Sequence, residues 1–415
     1  MTERTGKFFR LALICICCFL IIFFSACTRG TDWVQFRGEG GRGVSAAKIS
    51  PPLGIRWKIN LRDNNFNEDK ILALNPPVVI KDTIYFGSDD GNFYALDVES
   101  GYMRWVFKSG ADINSIPYAD KDHVYFGSKD GNLYALSRKD GQEIWRFPTR
   151  SQINSQVERY GDNVIFCSDA EAIYFLSPKG EEQFFIENPG WYHFTFLMYK
   201  DIMYFATGPR VELIGPYDIN KREFLWYLPY EDLAANWYSF PAIKGDLIYF
   251  GTANGYGEMS LGFYAYNRHT GKKVWESRCE GVFSFWDYDY LWELFIRNVE
   301  LLDFMAPTIW KDSVIFAGGD TVTRAFNTKT GHLQWEKTFD TPISSAPTIA
   351  GDKIYFGLLG DDYIQPRLVC ISARNGKLLW QMETDGSLLS APVIAGKRII
   401  FGTDKNIFYV LEQVF

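Results

Sequence analysis

Histidine is scarce in this chain, with 4 among 415 residues, and no two stand at a spacing that would share a zinc ion. His123 lies beside a strand, and His269 and His332 lie next to turn glycines, so local structure rather than catalysis accounts for their positions. Cysteine is also sparse. Cys15, Cys17 and Cys18 fall in an N-terminal apolar run, and Cys27, Cys167, Cys279 and Cys370 are nowhere adjacent. A formal net charge of −7 without a basic stripe argues against a nucleic-acid partner. No serine, histidine and aspartate can be picked out as a hydrolytic set.

What the chain has in quantity is apolar surface, at 47% hydrophobic and 17% aromatic residues, and one phrase that it repeats. The clearest copy runs Val124-Tyr125-Phe126-Gly127, then Asp130-Gly131-Asn132-Leu133-Tyr134-Ala135-Leu136, then Asp140-Gly141-Gln142-Glu143-Ile144-Trp145. Short alternating runs separated by Asp-Gly turns read as an antiparallel meander. Its core returns at Ile84, Val164, Met203, Ile248, Val314, Ile354 and Ile399, which makes eight copies. The closing aromatic recurs at Trp57, Trp105, Trp145, Phe184, Trp226, Trp275, Trp335 and Trp380. Strands at periods of roughly 40–50 residues mean a propeller. The expectation is an all-β, eight-bladed β-propeller of four-stranded antiparallel blades over residues 51–415. Trp57 precedes the first core and no Trp follows the last, so an N-terminal strand near Trp57 must join the C-terminal strands and close the ring.

The first 26 residues are an address. Arg4, Lys7 and Arg10 precede the apolar run Leu11–Phe24, and Ser25-Ala26-Cys27 follows it. The small residues before Cys27 resemble a bacterial lipobox, although Phe24 stands where Leu is usual. That resemblance implies a lipid on Cys27, with the alternative an uncleaved anchor helix. Thr28 is not the Asp of an inner-membrane retention signal, so the expected location is the outer membrane, facing the periplasm. Residues 27–50 read as tether and lead-in, with Trp33 and Phe36 expected to pack on the propeller.

The stretch Ala95-Leu96-Asp97-Val98-Glu99-Ser100-Gly101-Tyr102-Met103-Arg104-Trp105, repeated at Ala135–Trp145, Ala265–Trp275 and Ala325–Trp335, resembles the tryptophan-docking motif of the quinoprotein-like (PQQ-repeat) propellers. Cys370–Trp380 has Cys in the Ala place. Trp57, Trp105, Trp145, Trp226, Trp275, Trp335 and Trp380 are therefore expected to be structural, each covering the neighbouring blade. Blades three and four depart from the pattern: Asp169-Ala170-Glu171-Ala172 replaces the Gly turn, Phe184 replaces Trp, and Arg222 stands in the Gly place before Trp226.

Two surfaces are candidates for binding. Residues just before the inner strands, Asn114, Ser115, Asn154, Ser155, Tyr192, Asn236, Trp237, Tyr238, Ser344, Ser345 and Ser390, converge on the axis as a channel mouth. An insertion at about 278–303 carries Phe285, Trp286, Tyr288, Tyr290 and Trp292 among acids, and it either plugs one end of the propeller or meets a partner.

Alcohol-oxidising members of the resembled superfamily use pyrroloquinoline quinone, an adjacent Cys-Cys disulfide, a calcium held by Glu, Asn and Asp, and an Asp base. This chain has no adjacent cysteines, and Asp89-Asp90 and Asp361-Asp362 sit in turns, where acids are common. No catalytic residue, metal or cofactor is assigned. Among families, the chain looks most like the outer-membrane protein assembly factor BamB. That resemblance implies a non-enzymatic scaffold, monomeric within a complex, whose partners are envelope proteins such as the barrel-insertase. A quinone- and calcium-dependent dehydrogenase and a carbohydrate- or small-ligand-binding propeller are the alternatives.

Overall fold

Each copy of the repeat folds into its own sheet. In a computed structural model, which describes residues 32–61, 75–169, 172–187, 194–207, 215–228, 237–254, 260–280, 305–318, 320–360 and 363–414, eight antiparallel sheets form the blades of a propeller. Strands are lettered a to d from the axis outward. Blade 1 is Val78–Ile80, Thr83–Gly87, Asn92–Asp97 and Met103–Lys108. The a strands of neighbouring blades lie side by side, which sets them on the axis. Strands b and c are buried on both faces by the blades beside them, whereas strand d is mostly exposed. The middle strands therefore read as nearly continuous apolar runs.

The ring closes as the offset of the two repeat lists requires. Blade 8 takes a, b and c from Val393–Ala395, Arg398–Gly402 and Ile407–Gln413, and d from Leu53–Asn60. Leu53 faces Gln413, Trp57 faces Val410 and Asn60 faces Ile407. Four charges brace the joint. Arg56 reaches Glu99 of blade 1 at 2.9 Å and Glu412 at 3.1 Å, and Arg398 bonds the same two acids. These groups are partly exposed, so the backbone ladder contributes more than the ion pairs.

One local device recurs at the outer hairpin. In seven blades the c–d register slips by one residue just before the docking aromatic. A bulge re-aims the following side chain, and here it turns the indole toward the next blade. Six indole N–H groups donate to a carbonyl in that blade's c–d turn, from Trp57 to Val98 at 3.0 Å through Trp335 to Ala373 at 3.2 Å. The turn residue beneath must be small: a Cβ on Gly141 would sit 2.6 Å from the Trp105 ring, at a φ of +73°. Trp380 is the exception. Blade 8 has chain ends where a c–d turn would be, and Trp380 packs instead near Ala47, Ile49 and Leu53.

Candidate functional site

The propeller has two unlike ends. The a–b and c–d hairpin turns form one, the turn face. The b–c hairpins and the d–a connections form the other, the loop face. The lead-in enters the axis from the turn face. Lys81 N–H in the first a–b turn donates to Asp32 at 2.8 Å, and Trp33 pairs antiparallel with Val79. Val34 accepts from Ala119 of blade 2 at 3.3 Å. Phe36 then reaches the far ends of the a strands, edge-on to Phe240 at 5.2 Å and clustered with Ile116, Ala306, Ala346 and Ala391. The chain turns back through Glu39–Gly41, and Val44–Ser45 adds parallel to strand a of blade 7. Ser45 donates to Ile394 of blade 8 at 2.7 Å. Residues 46–52 cross the turn face to the rim, where Leu53 opens the closing strand.

Arg37 organises this plug. Its side chain is 2% exposed, and its guanidinium donates to the carbonyls of Pro307 at 2.7 Å and of Ala306 and Pro347 at 3.3 Å. Thr308 donates to the Arg42 carbonyl at 2.7 Å, and Ile349 N–H to that of Gly43 at 2.8 Å. Carbonyls at the start of an a strand have no ladder partner toward the axis, and one charged nitrogen, Nη2, lies within reach of three of them.

The serines of the expected channel mouth have another use. The hydroxyls of Ser115, Ser155 and Ser345 accept backbone N–H bonds from Gly127, Cys167 and Gly357 at 2.8–2.9 Å, each 12 residues onward. Ser239 does the same for Gly251. These hydroxyls tie strand a to strand b of their own blade. Ser344 and Ser390 are buried as well. Asn154 donates to Asp169 at 2.6 Å, and Asn114 bridges Asp89 and Lys129 at 2.6 and 3.0 Å. Trp237 and Tyr238 form a short strand against Ala253 and Thr252. Tyr192, Asn236, Cys27 and the insertion residues Phe285, Trp286, Tyr288, Tyr290 and Trp292 lie outside the described residues. Strand d of blade 5 runs on to Glu280, so positions 278–280 belong to that blade and not to the insertion.

A polar pair on the axis side of blade 3 carries no sequence-based assignment. Gln156 donates to the Phe196 carbonyl, and Glu158 accepts from Met198 N–H at 3.1 Å. Two side chains thus stand in for a strand edge and join blade 3 to strand a of blade 4. Burial pushes the Glu158 carboxyl up to about 8, partly offset by the bonds from Met198 and Gln156. The signal was present in the repeat: Gln156 and Glu158 occupy positions where blade 7 has Ala346 and Thr348. Arg37 lacked such a signal, because the lead-in has no sibling copies to compare.

The geometry agrees with the sequence profile described as outer membrane protein assembly factor BamB, which matches residues 47–183, 105–281, 262–364 and 318–414. The chain belongs to this family. No curated protein matches it in sequence. Among solved structures, BamB from Moraxella catarrhalis is similar, with TM-score 0.63 and 16% identity over 87% of this chain and 99% of that one. So is a computationally designed protein, Ika8, at TM-score 0.63 and 13% identity over 83% and 98%. A europium-containing methanol dehydrogenase gives TM-score 0.67 and 11% identity over 92% and 98%. An assembly factor, a designed protein and an enzyme sharing one architecture at such low identity establish the fold alone.

The described residues do not fit a quinone with calcium. Cys167, Cys279 and Cys370 lie on blades 3, 5 and 7, so no adjacent disulfide is available among them. No three His, Cys, Asp or Glu side chains gather as a cation site among the described residues. Asp90, one of the paired acids, is held in its own hairpin by Asn92 N–H at 2.7 Å and by the Tyr94 hydroxyl at 2.5 Å.

Proposed function

We propose that this protein is a lipid-anchored scaffold of the bacterial envelope that binds protein partners and serves outer-membrane protein assembly, the role its family's name describes. The family match from residue 47 to residue 414 carries the reading. An axis occupied by the chain's own lead-in supports it, because the place where equivalent residues of all blades converge is already filled. In this reading Cys27 holds the lipid, the propeller stands in the periplasm as a monomer within a larger complex, and no cofactor takes part. The barrel-insertase is the partner. Contacts come from loops and from exposed d-strand edges, which suit strand addition. Affinity capture from detergent-solubilised envelope should recover the insertase. Recovery of a glycan or an unrelated exporter in its place would defeat the assignment.

The likeness to a methanol dehydrogenase keeps one other reading in view, a quinone-dependent oxidation. Addition of pyrroloquinoline quinone and calcium to the purified protein should then give dye reduction with alcohols. The scaffold reading expects none, and no change in the quinone's absorbance.

A further inference from the structure

We infer that the turn face is the side of the propeller that lies against the membrane, and that its c–d turn tips bind anionic lipid headgroups. This rests on the lipid-anchor reading above and deepens it. The first observation is where the chain leaves the fold. Asp32 is fixed at the first a–b turn, beside the axis, by the bond from Lys81 and the Trp33–Val79 pairing. Cys27 stands five residues earlier, and five residues reach at most ~18 Å even when fully extended. A lipid at Cys27 therefore holds the turn face close to the bilayer. The loop face is then turned toward the aqueous side. An anchor leaving from the rim would allow either end to approach.

The second observation is independent and concerns charge. The tips of the c–d turns carry exposed Lys139, Lys179, Lys221, Lys272, Lys329 and Lys377, which ring the turn face. Asp140 and Glu181 are also on these turns, and Glu99 is already bound by Arg56 and Arg398. Nearer the axis the a–b turns hold aspartates, and basic neighbours pair with four of them, Asp82 with Arg104, Asp162 with Arg159, Asp312 with Lys244 and Asp352 with Arg374, while Asp120, Asp122 and Asp201 add negative charge there. The loop face has the opposite character, with Asp89, Asp90, Asp112, Asp130 and Asp340 in its b–c hairpins and d–a connections, of which Asp112 pairs with Lys129 and Asp340 with Arg367. A chain of net charge −7 thus has a lysine ring on the end from which its anchor emerges. Lysines within a Debye length of an anionic surface, about 8 Å at physiological salt, are attracted to it.

The test uses the full lipidated chain in vesicles of phosphatidylcholine, with and without phosphatidylglycerol. A water-soluble amine-acylating reagent is applied and the modified lysines are read by peptide mass spectrometry. Lys139, Lys179, Lys272, Lys329 and Lys377 should be protected several-fold in phosphatidylglycerol vesicles relative to detergent, whereas Lys108 and Lys405 on the loop face should be labelled equally in both. A triple variant, Lys272→Glu, Lys329→Glu and Lys377→Glu, should lose the protection at Lys139 and Lys179. These tips are exposed, so the variant keeps the fold, which circular dichroism checks. Equal labelling of both faces in a chain that floats with the vesicles overturns the orientation and leaves the anchor standing. Equal protection without phosphatidylglycerol overturns the headgroup recognition. A chain that floats with neither vesicle defeats the anchor reading and the orientation with it.

Discussion

The guanidinium of Arg222 lies over the ring of Phe184, 5.3 Å from its centroid. Arg222 occupies the turn position that is glycine elsewhere and keeps the glycine's backbone, with a φ of 60° and its N–H bonded to Asp218 at 2.8 Å. Phe184 occupies the docking position and keeps the bulge before it. One blade junction has thus exchanged an indole on a bare turn for a phenyl ring under a cation. The two changes are coupled. Phe184→Trp alone should cost about 1–3 kcal/mol, because the larger ring meets the Arg222 side chain. Adding Arg222→Gly should recover most of that loss. A double-mutant cycle by urea denaturation checks the sign of the coupling.

Arg37 bonds the ends of two blades from inside the axis. Arg37→Ala should lower stability by about 2–4 kcal/mol, since several buried carbonyls lose their donor at once. Arg37→Lys should recover little, because the shorter lysine stem stops short of the Nη2 position that reaches Ala306, Pro307 and Pro347 and also lacks the Nε–H that donates to Gly41. The denaturation midpoints of the two variants should fall close together.

Glu158 should give the fold a pH dependence of unusual sign for a carboxylate. Its folded value of about 8 lies above the ordinary 4.5, so between these limits the native state holds a proton that the unfolded chain has released. Stability from this group is complete below the lower limit and is lost as pH rises through the window, at ~1.4 kcal/mol per unit. Glu158→Gln keeps an acceptor for Met198 and cannot ionise. The variant should unfold at nearly the same urea concentration at about pH 5 and about pH 8 as far as this group is concerned, whereas the parent should weaken.

Two glycines separate backbone strain from packing. Gly161 has a φ of +60° and open space around an added Cβ, whereas at Gly141 a Cβ would meet Trp105 at 2.6 Å. Gly161→Ala should cost about 1 kcal/mol from the left-handed backbone alone. Gly141→Ala should cost about 2–4 kcal/mol, adding the displaced indole. Equal losses at the two sites would contradict the docking account.

The architecture was legible because eight blades say the same thing. Phe184 could be recognised as a degenerate Trp only against its siblings, and the offset between Trp57 and the last core already implied closure. The site was less legible. Small polar residues before the a strands suggest a pocket, but spacing along the chain does not reveal that Ser115 and Ser345 turn toward strand b. Arg37 sits in a segment that occurs once and reads by composition as tether. Its partners, Pro307 and Pro347, lie about three hundred positions away, beyond any local pattern.

Ribosomes deliver a chain from its first residue, and the crossing of the axis sets that order against the order of assembly. Ser45 waits for Ile394, and Trp57 for Val410, so the earliest-made part of the propeller is among the last to find its place. Until blade 8 exists, the apolar faces of blades 1 and 7, at the two ends of the unfinished ring, stay bare. Folding should therefore be slow and cooperative in its final step, and a polypeptide stopped short of residue 393 would lose at once the partner of its closing strand and the carbonyl that holds Ser45 at the axis.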